Sequence, residues 1–168
     1  MTPDLDLSDA KLATDYQAAR TLFLEYAAWL GVDLGFQGFG YELEHLPQVY
    51  GPPDGCLIVG RDGGTAVGCV GVRRISAETC EMKRLFVRES ARGRGVGRLL
   101  VLEAVRAARR LGYARMLLDT LDGMVAARQI YASLGFKDAE AYYLNPLPRV
   151  SFMALDLNSV DNAGQQSV

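Results

Sequence analysis

A short run of alternating glycine and arginine is the part of the sequence best suited to chemistry. It reads Arg92-Gly93-Arg94-Gly95-Val96-Gly97 and is followed by Arg98. The flanking residues predict a strand before it and a helix after it. Backbone N–H groups at a helix N-terminus are unpaired and the helix dipole is positive there. Because glycines let an anion approach the backbone and the arginines add charge, the run predicts an anion site, above all for a diphosphate.

Three other readings of this run differ in what they require nearby. A nucleotide-hydrolysing P-loop would continue with Lys and Ser or Thr, whereas Arg98 follows Gly97 here. A dinucleotide-binding fingerprint would need glycine at position 98, although Asp119 ends the next predicted strand as a ribose-binding acid would. A purely structural glycine turn has no need of three arginines. The diphosphate reading is favoured, and the last two alternatives stay open.

The charge of the chain is distributed unevenly. The formal net charge is −2, which argues against a general affinity for nucleic acid, because that affinity depends on neutralising many phosphates. Basic residues are concentrated between Lys83 and Arg115, and this block suits a compact anion such as a coenzyme phosphate. Arg106, Arg109 and Arg110 fit a solvated helix face instead.

Several other classes of protein are disfavoured by what the sequence lacks. No apolar run approaches the length of a bilayer span and the N-terminus has no signal segment, so we expect no membrane partner and a cytoplasmic location. Cys56, Cys69 and Cys80 have no metal-ligand spacing and are expected to be buried free thiols. With His45 as the single histidine, no metal site is predicted.

The elements that position the glycine-arginine run follow from hydrophobic periodicity and turn residues. Around the run the predicted order is strand, helix, strand, helix, at Thr79–Val87, Val96–Leu111, Ala114–Asp119 and Gly123–Leu134. Gly112 and Gly135 follow the two helices, where a left-handed conformation ends a helix. This crossover requires the two strands to be parallel neighbours.

The rest of the chain predicts antiparallel strands and further helices. A helix from a Thr14/Gln17 capping box should run to Leu30, with a loop over Gly31–Gly40 and a short helix that Pro47 ends. The strands are predicted near 7–12, 56–61, 65–74, 137–142 and 149–157, with a hairpin turn at residues 62–64. We expect one domain over residues 1–157 and a disordered polar tail over 158–168.

Two motifs together resemble the GNAT family of N-acetyltransferases. Arg92-x-x-Gly95-x-Gly97, after the strand that ends at Val87, resembles the acetyl-CoA loop of that family. Ala127-x-x-x-Tyr131-x-x-x-Gly135-Phe136 resembles its last helix and the turn beyond it. The resemblance covers roughly Thr79 to Phe136. It implies a mixed α/β domain whose central, mostly antiparallel sheet contains a splayed parallel strand pair and is flanked by about four helices.

The resemblance also implies a cofactor and the residues that hold it. Acetyl-CoA should bind with its pyrophosphate on the backbone amides of residues 94–98 and its pantetheine arm paired with Phe86 and Val87. Met124 stands where many members carry Asn, which is a departure from the family. The complete set of expected cofactor residues is Leu85, Phe86, Val87, Arg92, Gly93, Arg94, Gly95, Val96, Gly97, Arg98, Thr120, Met124, Ala127 and Tyr131.

Acetyl transfer to an amine needs a group that takes a proton from the amine and one that protonates the leaving thiolate. Tyr131 matches the acid of the family, with a satisfied core aromatic as the alternative. Glu81 is the candidate base because it lies mid-strand where several members keep a glutamate. Period-two alternation puts it on the same face as Lys83, Leu85 and Val87. The alternative is an ion pair of Glu81 with Lys83 or Arg73.

The acceptor should be a primary amine of a small molecule, amino acid or peptide, bound by the variable segments. The expected acceptor residues are Phe36, Gln37, Arg73, Lys83, Tyr143 and Asn145. Arg73, Lys83 and Arg84 favour an acceptor with a carboxylate. A non-catalytic acetyl-CoA sensor and an NAD(P)-binding oxidoreductase are the alternative functions, and a homodimer is compatible with the sequence.

Overall fold

The computed structural model describes residues 4–159, which form one seven-stranded sheet with helices on both faces. The strands are β1 (Leu5–Asp9), β2 (Cys56–Asp62), β3 (Thr65–Arg74), β4 (Thr79–Val87), β5 (Arg115–Leu121), β6 (Lys137–Ala139) and β7 (Val150–Asp156). The α-helices are α1 (Ala13–Leu30), α2 (Phe39–Glu44), α3 (Leu46–Tyr50), α4 (Val96–Arg110) and α5 (Val125–Ser133). Single turns of 3-10 helix lie at Gly35–Gln37 and Glu89–Ala91.

The order of strands in the sheet is β1-β2-β3-β4-β5-β7-β6. Only β4 and β5 pair in parallel, and every other neighbouring pair is antiparallel. This confirms the predicted mixed, mostly antiparallel sheet. The parallel pair arises because α4 crosses over between the two strands, as the strand–helix–strand pattern requires.

The parallel pair comes apart halfway along its length. Pairing joins only Thr79, Cys80 and Glu81 of β4 to the first three residues of β5. Strand β4 nevertheless continues to Val87, and β5 stays paired with β7 through Leu121. A gap therefore opens in the sheet between the C-terminal halves of β4 and β5.

A β-bulge in β4 accompanies this separation. Lys83 pairs with Gly71 of β3 and Phe86 pairs with Cys69, so β4 has one residue more than its partner over this stretch. The extra residue shifts the alternation of faces, and Arg84 takes the left-handed φ of 61°. Leu85 and Val87 pack with the core on the α4 side, whereas Phe86 belongs to the core under α1. The prediction that Leu85 and Val87 share a face with Glu81 is thus wrong, because strict period-two alternation does not survive a bulge.

The two faces of the sheet are covered by different helices. Helix α4 buries an apolar stripe on one face, and arginines occupy its exposed side. Helix α1 buries Ala19, Leu22 and Phe23 on the other face, together with Tyr50 from α3. Tyr50 fits there because Gly71 has no side chain, and a Cβ at that position would lie 2.4 Å from the tyrosine ring.

Two predicted details of the N-terminal half are wrong. Helix α1 begins at Ala13, and it is Asp15 whose carboxylate accepts hydrogen bonds from the amides of Lys11 and Leu12, so Thr14 and Gln17 form no capping box. Pro47 lies in the first turn of α3 instead of ending a helix, because proline is tolerated in a first helical turn.

The other element boundaries agree with the predictions to within three residues. Gly31, Gly112 and Gly135 end helices with φ of 70°, 89° and 97°. Most of the predicted polar tail lies outside the described residues, and the domain boundaries stay a prediction.

Candidate functional site

A groove follows the end of β4 and borders the gap between β4 and β5. The groove has a volume of about 640 Å³ and lies between the end of β4, the glycine-arginine run, the start of α4 and helix α5. A smaller, more enclosed pocket lies between the separated strands. Leu85 and Met124 line both, so the groove and the pocket adjoin at these two side chains.

The glycine-arginine run forms an uncapped helix N-terminus at one end of the groove. Gly93 and Gly95 have φ of 74° and 79°, a conformation that glycine adopts without strain. Gly95 is the N-cap of α4, and no side chain caps the helix there. The amides of the first turn therefore have no side-chain partner, as an anion site on this helix requires.

The three arginines of the run extend in different directions. Arg92 donates from Nε to the carbonyl of Val87 at 2.8 Å, and its guanidinium lies 5.0 Å from the ring centre of Trp29. Arg94 forms a 2.7 Å ion pair with Asp62. Arg98 donates to Ser133 Oγ on α5 at 2.7 Å. Arg92 and Arg98 line the groove, whereas the side chain of Arg94 is committed to β2.

Nearly all the expected cofactor residues lie along the groove or the pocket. The groove is lined by Leu85, Phe86, Val87, Arg92, Gly93, Gly95, Val96, Gly97, Arg98, Met124 and Ala127. Thr120 and Tyr131 line the pocket. Arg94 is the exception, because its side chain leaves the groove. The sequence thus predicted a set of residues that the fold brings together.

Tyr131 extends from α5 into the pocket between the strands. It is 5% exposed and packs against Phe136. Burial, with smaller contributions from Tyr26 and Asp119, raises the pKa of Tyr131 well above its usual value. The phenol therefore keeps its proton at neutral pH, as a proton donor in this pocket must.

Glu81 lies in an ion-pair cluster beside the pocket. It is 2% exposed, and its Oε1 lies 2.8 Å from Arg73 Nε and 3.9 Å from Lys83 Nζ. The hydroxyl of Tyr142 donates to its Oε2. Both ion-pair partners that the sequence offered are thus used at once, and Glu81 is not among the residues that line the pocket.

A second carboxylate, Asp119 on β5, does line the pocket. Its Oδ2 accepts hydrogen bonds from Tyr143, from Asn145 at 3.0 Å and from Gln37 at 3.4 Å. Gln37 also accepts a bond from Arg84 at 2.8 Å. Asp119 thereby joins the 3-10 turn near α1 to the segment between β6 and β7.

The expected acceptor residues divide into two groups. Gln37, Lys83 and Asn145 line the pocket, and Tyr143 is bonded to Gln37 at 2.8 Å. Arg73 binds Glu81 and does not line the pocket. Phe36, the neighbour of Gln37 in the sequence, is 39% exposed and does not line the pocket either. Arg84 is bound to Glu42 through Nε at 2.8 Å and NH2 at 3.1 Å, so its charge is already neutralised.

Three contributions to the site have no local signal in the sequence. Trp29 of α1 lines the groove, and Glu42 of α2 neutralises Arg84. The sequence shows Asp119 as an acid at the end of a strand, without its hydrogen-bond partners. Each contribution depends on residues at least 24 positions away, and hydrophobic periodicity reports only local neighbours.

The remaining nucleophilic and ligating groups take no part in the site. The three cysteines are buried free thiols, as predicted, and burial raises the pKa of Cys56 and Cys80 to about 12. Over residues 4–159 no group of three or more His, Cys, Asp and Glu side chains could hold a metal ion. Within the same residues no helix has both the length and the apolar character to cross a bilayer.

Comparisons with known proteins agree with this geometry. The family model described as the acetyltransferase (GNAT) family matches residues 19–136. An uncharacterized N-acetyltransferase of Schizosaccharomyces pombe is 43% identical over 157 residues, which cover 92% of this chain and 96% of that protein.

Two solved structures share the fold. A GNAT-family acetyltransferase from Staphylococcus aureus has a TM-score of 0.74 at 18% identity, over 91% of this chain and 99% of that one. An acetyltransferase from Salmonella typhimurium, solved with its cofactor acetyl-CoA, has a TM-score of 0.66 at 20% identity, over 93% and 95%. With most of its length matched by the family model and by a relative of this identity, the chain belongs to the GNAT family of acetyltransferases.

Proposed function

We propose that the protein transfers the acetyl group of acetyl-CoA to a primary amine in a single step within a ternary complex. The observation that carries the proposal is the path from an uncapped helix N-terminus, along the groove, to the adjoining pocket between the separated strands. The helix N-terminus suits a diphosphate, the groove suits an extended pantetheine arm, and the pocket suits a thioester. The Salmonella relative solved with acetyl-CoA supports the choice of cofactor.

The backbone of the glycine-arginine run would hold the pyrophosphate of the cofactor. The amides of residues 94–98 surround the start of α4, and Arg92 and Arg98 add charge on the groove wall. The pantetheine arm would pair with the backbone of Phe86 and Val87. Because Arg92 occupies the Val87 carbonyl, we propose that this arginine exchanges that carbonyl for the phosphate when the cofactor binds.

Direct transfer is favoured over a covalent acyl-enzyme. An acyl-cysteine would need a thiolate, and burial raises the pKa of all three cysteines. The thiolate is the nucleophilic form of cysteine. The acceptor amine is therefore proposed to attack the thioester itself.

Tyr131 is proposed to protonate the leaving thiolate of coenzyme A. It lines the pocket where the thioester would lie, and its raised pKa keeps the hydroxyl protonated. Because a thiol of pKa about 8.5 is a stronger acid than this buried phenol, Tyr131 would act by sharing its proton with the leaving sulfur in a hydrogen bond, and the proton released by the amine completes the neutralisation of the thiolate.

Glu81 stays our proposal for the final proton acceptor. Glu81 does not line the pocket but lies 3.9 Å from Lys83, which does, so a proton from the amine would reach the carboxylate through Lys83 or through water. We expect Glu81→Gln to lower kcat about 100-fold and to change the pH–rate profile. An unchanged profile would assign Glu81 a structural role only.

A ligand-dependent unfolding assay tests the proposed function. Coenzyme A at 100 times its Kd should stabilise the folded protein by about 2.7 kcal/mol, and NAD(P) should not. Release of free thiol from acetyl-CoA in the presence of a panel of amines then shows turnover. Stabilisation by NAD(P) alone would indicate an oxidoreductase, and stabilisation by coenzyme A without turnover of any amine would indicate a sensor.

A further inference from the structure

The pocket between β4 and β5 has one carboxylate and one ammonium group on opposite strands. Asp119 belongs to β5 and Lys83 to β4, and both line the pocket. The two strands are unpaired at these positions, since their ladder stops at Glu81 and Leu117. Each charge can bind a ligand only to the extent that neighbouring side chains of the protein leave it without an ion-pair partner.

Asp119 has one oxygen committed and one available. The three groups that donate to it are neutral, belonging to Gln37, Tyr143 and Asn145, and all three donate to Oδ2. Among the described residues none donates to Oδ1, and Asp119 forms no ion pair within 4 Å. Neutral donors orient the carboxylate without cancelling its charge, so Oδ1 can bind a cation.

Lys83 belongs to a cluster with an excess of positive charge. Arg73 and Lys83 share the single carboxylate of Glu81, and both approach the same oxygen. The arginine is within hydrogen-bond distance at 2.8 Å, whereas Lys83 is at 3.9 Å. Two cations on one carboxylate leave Lys83 without a carboxylate of its own within hydrogen-bond distance, and its side chain is 3% exposed; Asp119 attracts it only from across the pocket. A buried charge without a matching partner is costly, and an anion in the pocket would relieve this cost.

Arg84 does not offer a second anion site. It lines the pocket, but its guanidinium is held by both oxygens of Glu42, and the two side chains are 2% and 3% exposed. The bulge turns Arg84 toward α2 and leaves Lys83 as the available cation. Arg84 in turn holds Gln37, which holds Asp119.

From these two opposite charges on opposite walls of the pocket we infer that the acceptor is a small zwitterion, an amino acid whose ammonium binds Asp119 and whose carboxylate binds Lys83; the ammonium loses one proton before the amine attacks the thioester. The inference rests on the proposed function and names its substrate class. A direct hydrogen bond between Gln37 and Tyr143 joins two walls of the site, and Asn145 and Leu147 line the pocket beside them. These contacts favour a free amino acid over a peptide chain. A peptide N-terminus also lacks a carboxylate next to its amine.

Matched acceptors test this inference with the full-length protein. The panel contains the common L-amino acids, the carboxamide of each, and the amine that each gives on decarboxylation. We expect the wild-type protein to prefer at least one amino acid over its carboxamide by about 30-fold or more in kcat/KM, since removing one partner of a buried charge pair has that effect. Acetylation of carboxamides or decarboxylated amines as readily as amino acids would contradict the inference, as would acetylation of no amino acid.

Two substitutions separate the two halves of the inference. Lys83→Gln should abolish the preference for the amino acid over its carboxamide. Asp119→Asn should raise the KM of both acceptors by about 30-fold and leave their ratio unchanged. Lys137→Gln, a change of an exposed lysine on β6, should match the wild-type protein. Lys83→Gln with an unchanged ratio would refute the carboxylate subsite, and Asp119→Asn with an unchanged KM would refute the ammonium subsite.

The coenzyme A binding of each variant keeps this test separate from the proposed function. Stabilisation by coenzyme A should be the same in the wild-type protein and in both variants, which also verifies that they fold. If coenzyme A stabilises none of them, the proposed function fails. If it stabilises all of them and the acceptor ratios do not change, only the zwitterion inference fails.

Discussion

At the scale of single residues, burial decides what the polar groups of the site can do. Tyr131 and Lys83 are each at most 6% exposed, so their protonation depends on burial and neighbours more than on solvent. Glu81 is surrounded by donors, whereas Asp119 keeps one oxygen available. Two carboxylates on adjacent strands thus have different roles because their surroundings differ.

Removal of the Tyr131 hydroxyl should slow the chemical step. We expect Tyr131→Phe to lower kcat about 100-fold with little change in the Kd of acetyl-CoA, because the general acid is lost and the ring still fills its place. Steady-state kinetics and a binding titration measure the two quantities. Tyr41→Phe, at a tyrosine that is 64% exposed, should leave both unchanged. A full kcat in Tyr131→Phe would show that the tyrosine only packs in the core.

The charge of Lys83 should give a pH dependence to acceptor binding. Burial, together with Arg84 and Arg73, lowers the pKa of Lys83 to about 8 against the attraction of Glu81 and Asp119. The side chain is therefore charged below pH 8 and becomes neutral above it. If the zwitterion inference holds, the KM of an amino acid should rise above pH 8, whereas that of its carboxamide should not rise in the same way.

Lys83→Arg is the control for this pH dependence. Arginine keeps its charge across the range, so the additional rise in KM above pH 8 should disappear in this variant. The measurement is KM against pH from 6.5 to about 10 for both acceptors. A rise that persists in Lys83→Arg would come from the acceptor amine or from another group.

At the scale of elements, the site depends on three interruptions of regular structure. The bulge at Arg84 redirects β4, the ladder to β5 ends after Glu81, and the first turn of α4 has no side-chain cap. Each leaves backbone groups without partners in a sheet or helix. Such groups are the ones that a ligand can bind.

The start of α4 approaches α5 at a glycine that leaves little room. A Cβ on Gly97 would lie 3.3 Å from Ile130 Cδ1 and 3.7 Å from Val87 Cγ2. We expect Gly97→Val to raise the KM of acetyl-CoA about 10-fold or more, because the added atoms crowd the groove and displace α5. The KM of the amine should change little. Initial-rate kinetics with each substrate varied in turn measure both values.

Gly40→Ala is the matched control for this substitution. A Cβ on Gly40 meets no atom within 4 Å, so this variant should have wild-type kinetics. An unchanged KM of acetyl-CoA in Gly97→Val, together with a wild-type unfolding temperature, would place the cofactor elsewhere.

At the scale of the whole molecule, segments far apart in the chain converge on the gap in the sheet. Gln37 and Tyr143 are separated by 106 positions and form a direct hydrogen bond. Helix α1, from the N-terminal part, provides Trp29 on the wall of the cofactor groove. Cofactor binding should therefore change the surroundings of residues outside the glycine-arginine run, such as Trp29 of α1. A homodimer and a cytoplasmic location stay predictions.

The single tryptophan offers a direct readout of this convergence. Trp29 is 51% exposed, lines the groove and lies 5.0 Å from the Arg92 guanidinium. We expect saturating coenzyme A to change the intrinsic fluorescence as the ring becomes covered and Arg92 moves to the phosphate. Trp29→Phe should lose this signal and keep the thermal stabilisation by coenzyme A. A wild-type spectrum that does not respond at saturation would contradict the proposed path of the cofactor.

The sequence by itself determined the order of the elements and the position of the cofactor site. Hydrophobic periodicity and helix-ending glycines are local, and the elements from Thr79 to Ser133 differ from their predicted bounds by no more than two residues. The glycine-arginine run predicted an anion site because a helix N-terminus has the same chemistry in any fold. Its resemblance to the GNAT loop, with that of the Tyr131 helix, indicated the family.

Only the tertiary structure decided which charged groups face the pocket. Periodicity put Leu85 on the face of Glu81, and the bulge reversed this. Hydrophobic periodicity could not show that Glu42 neutralises Arg84, or that Gln37 and Asn145 bind one oxygen of Asp119. The reason is that a side chain's charge becomes a binding site only when its partners are known, and those partners come from distant parts of the chain.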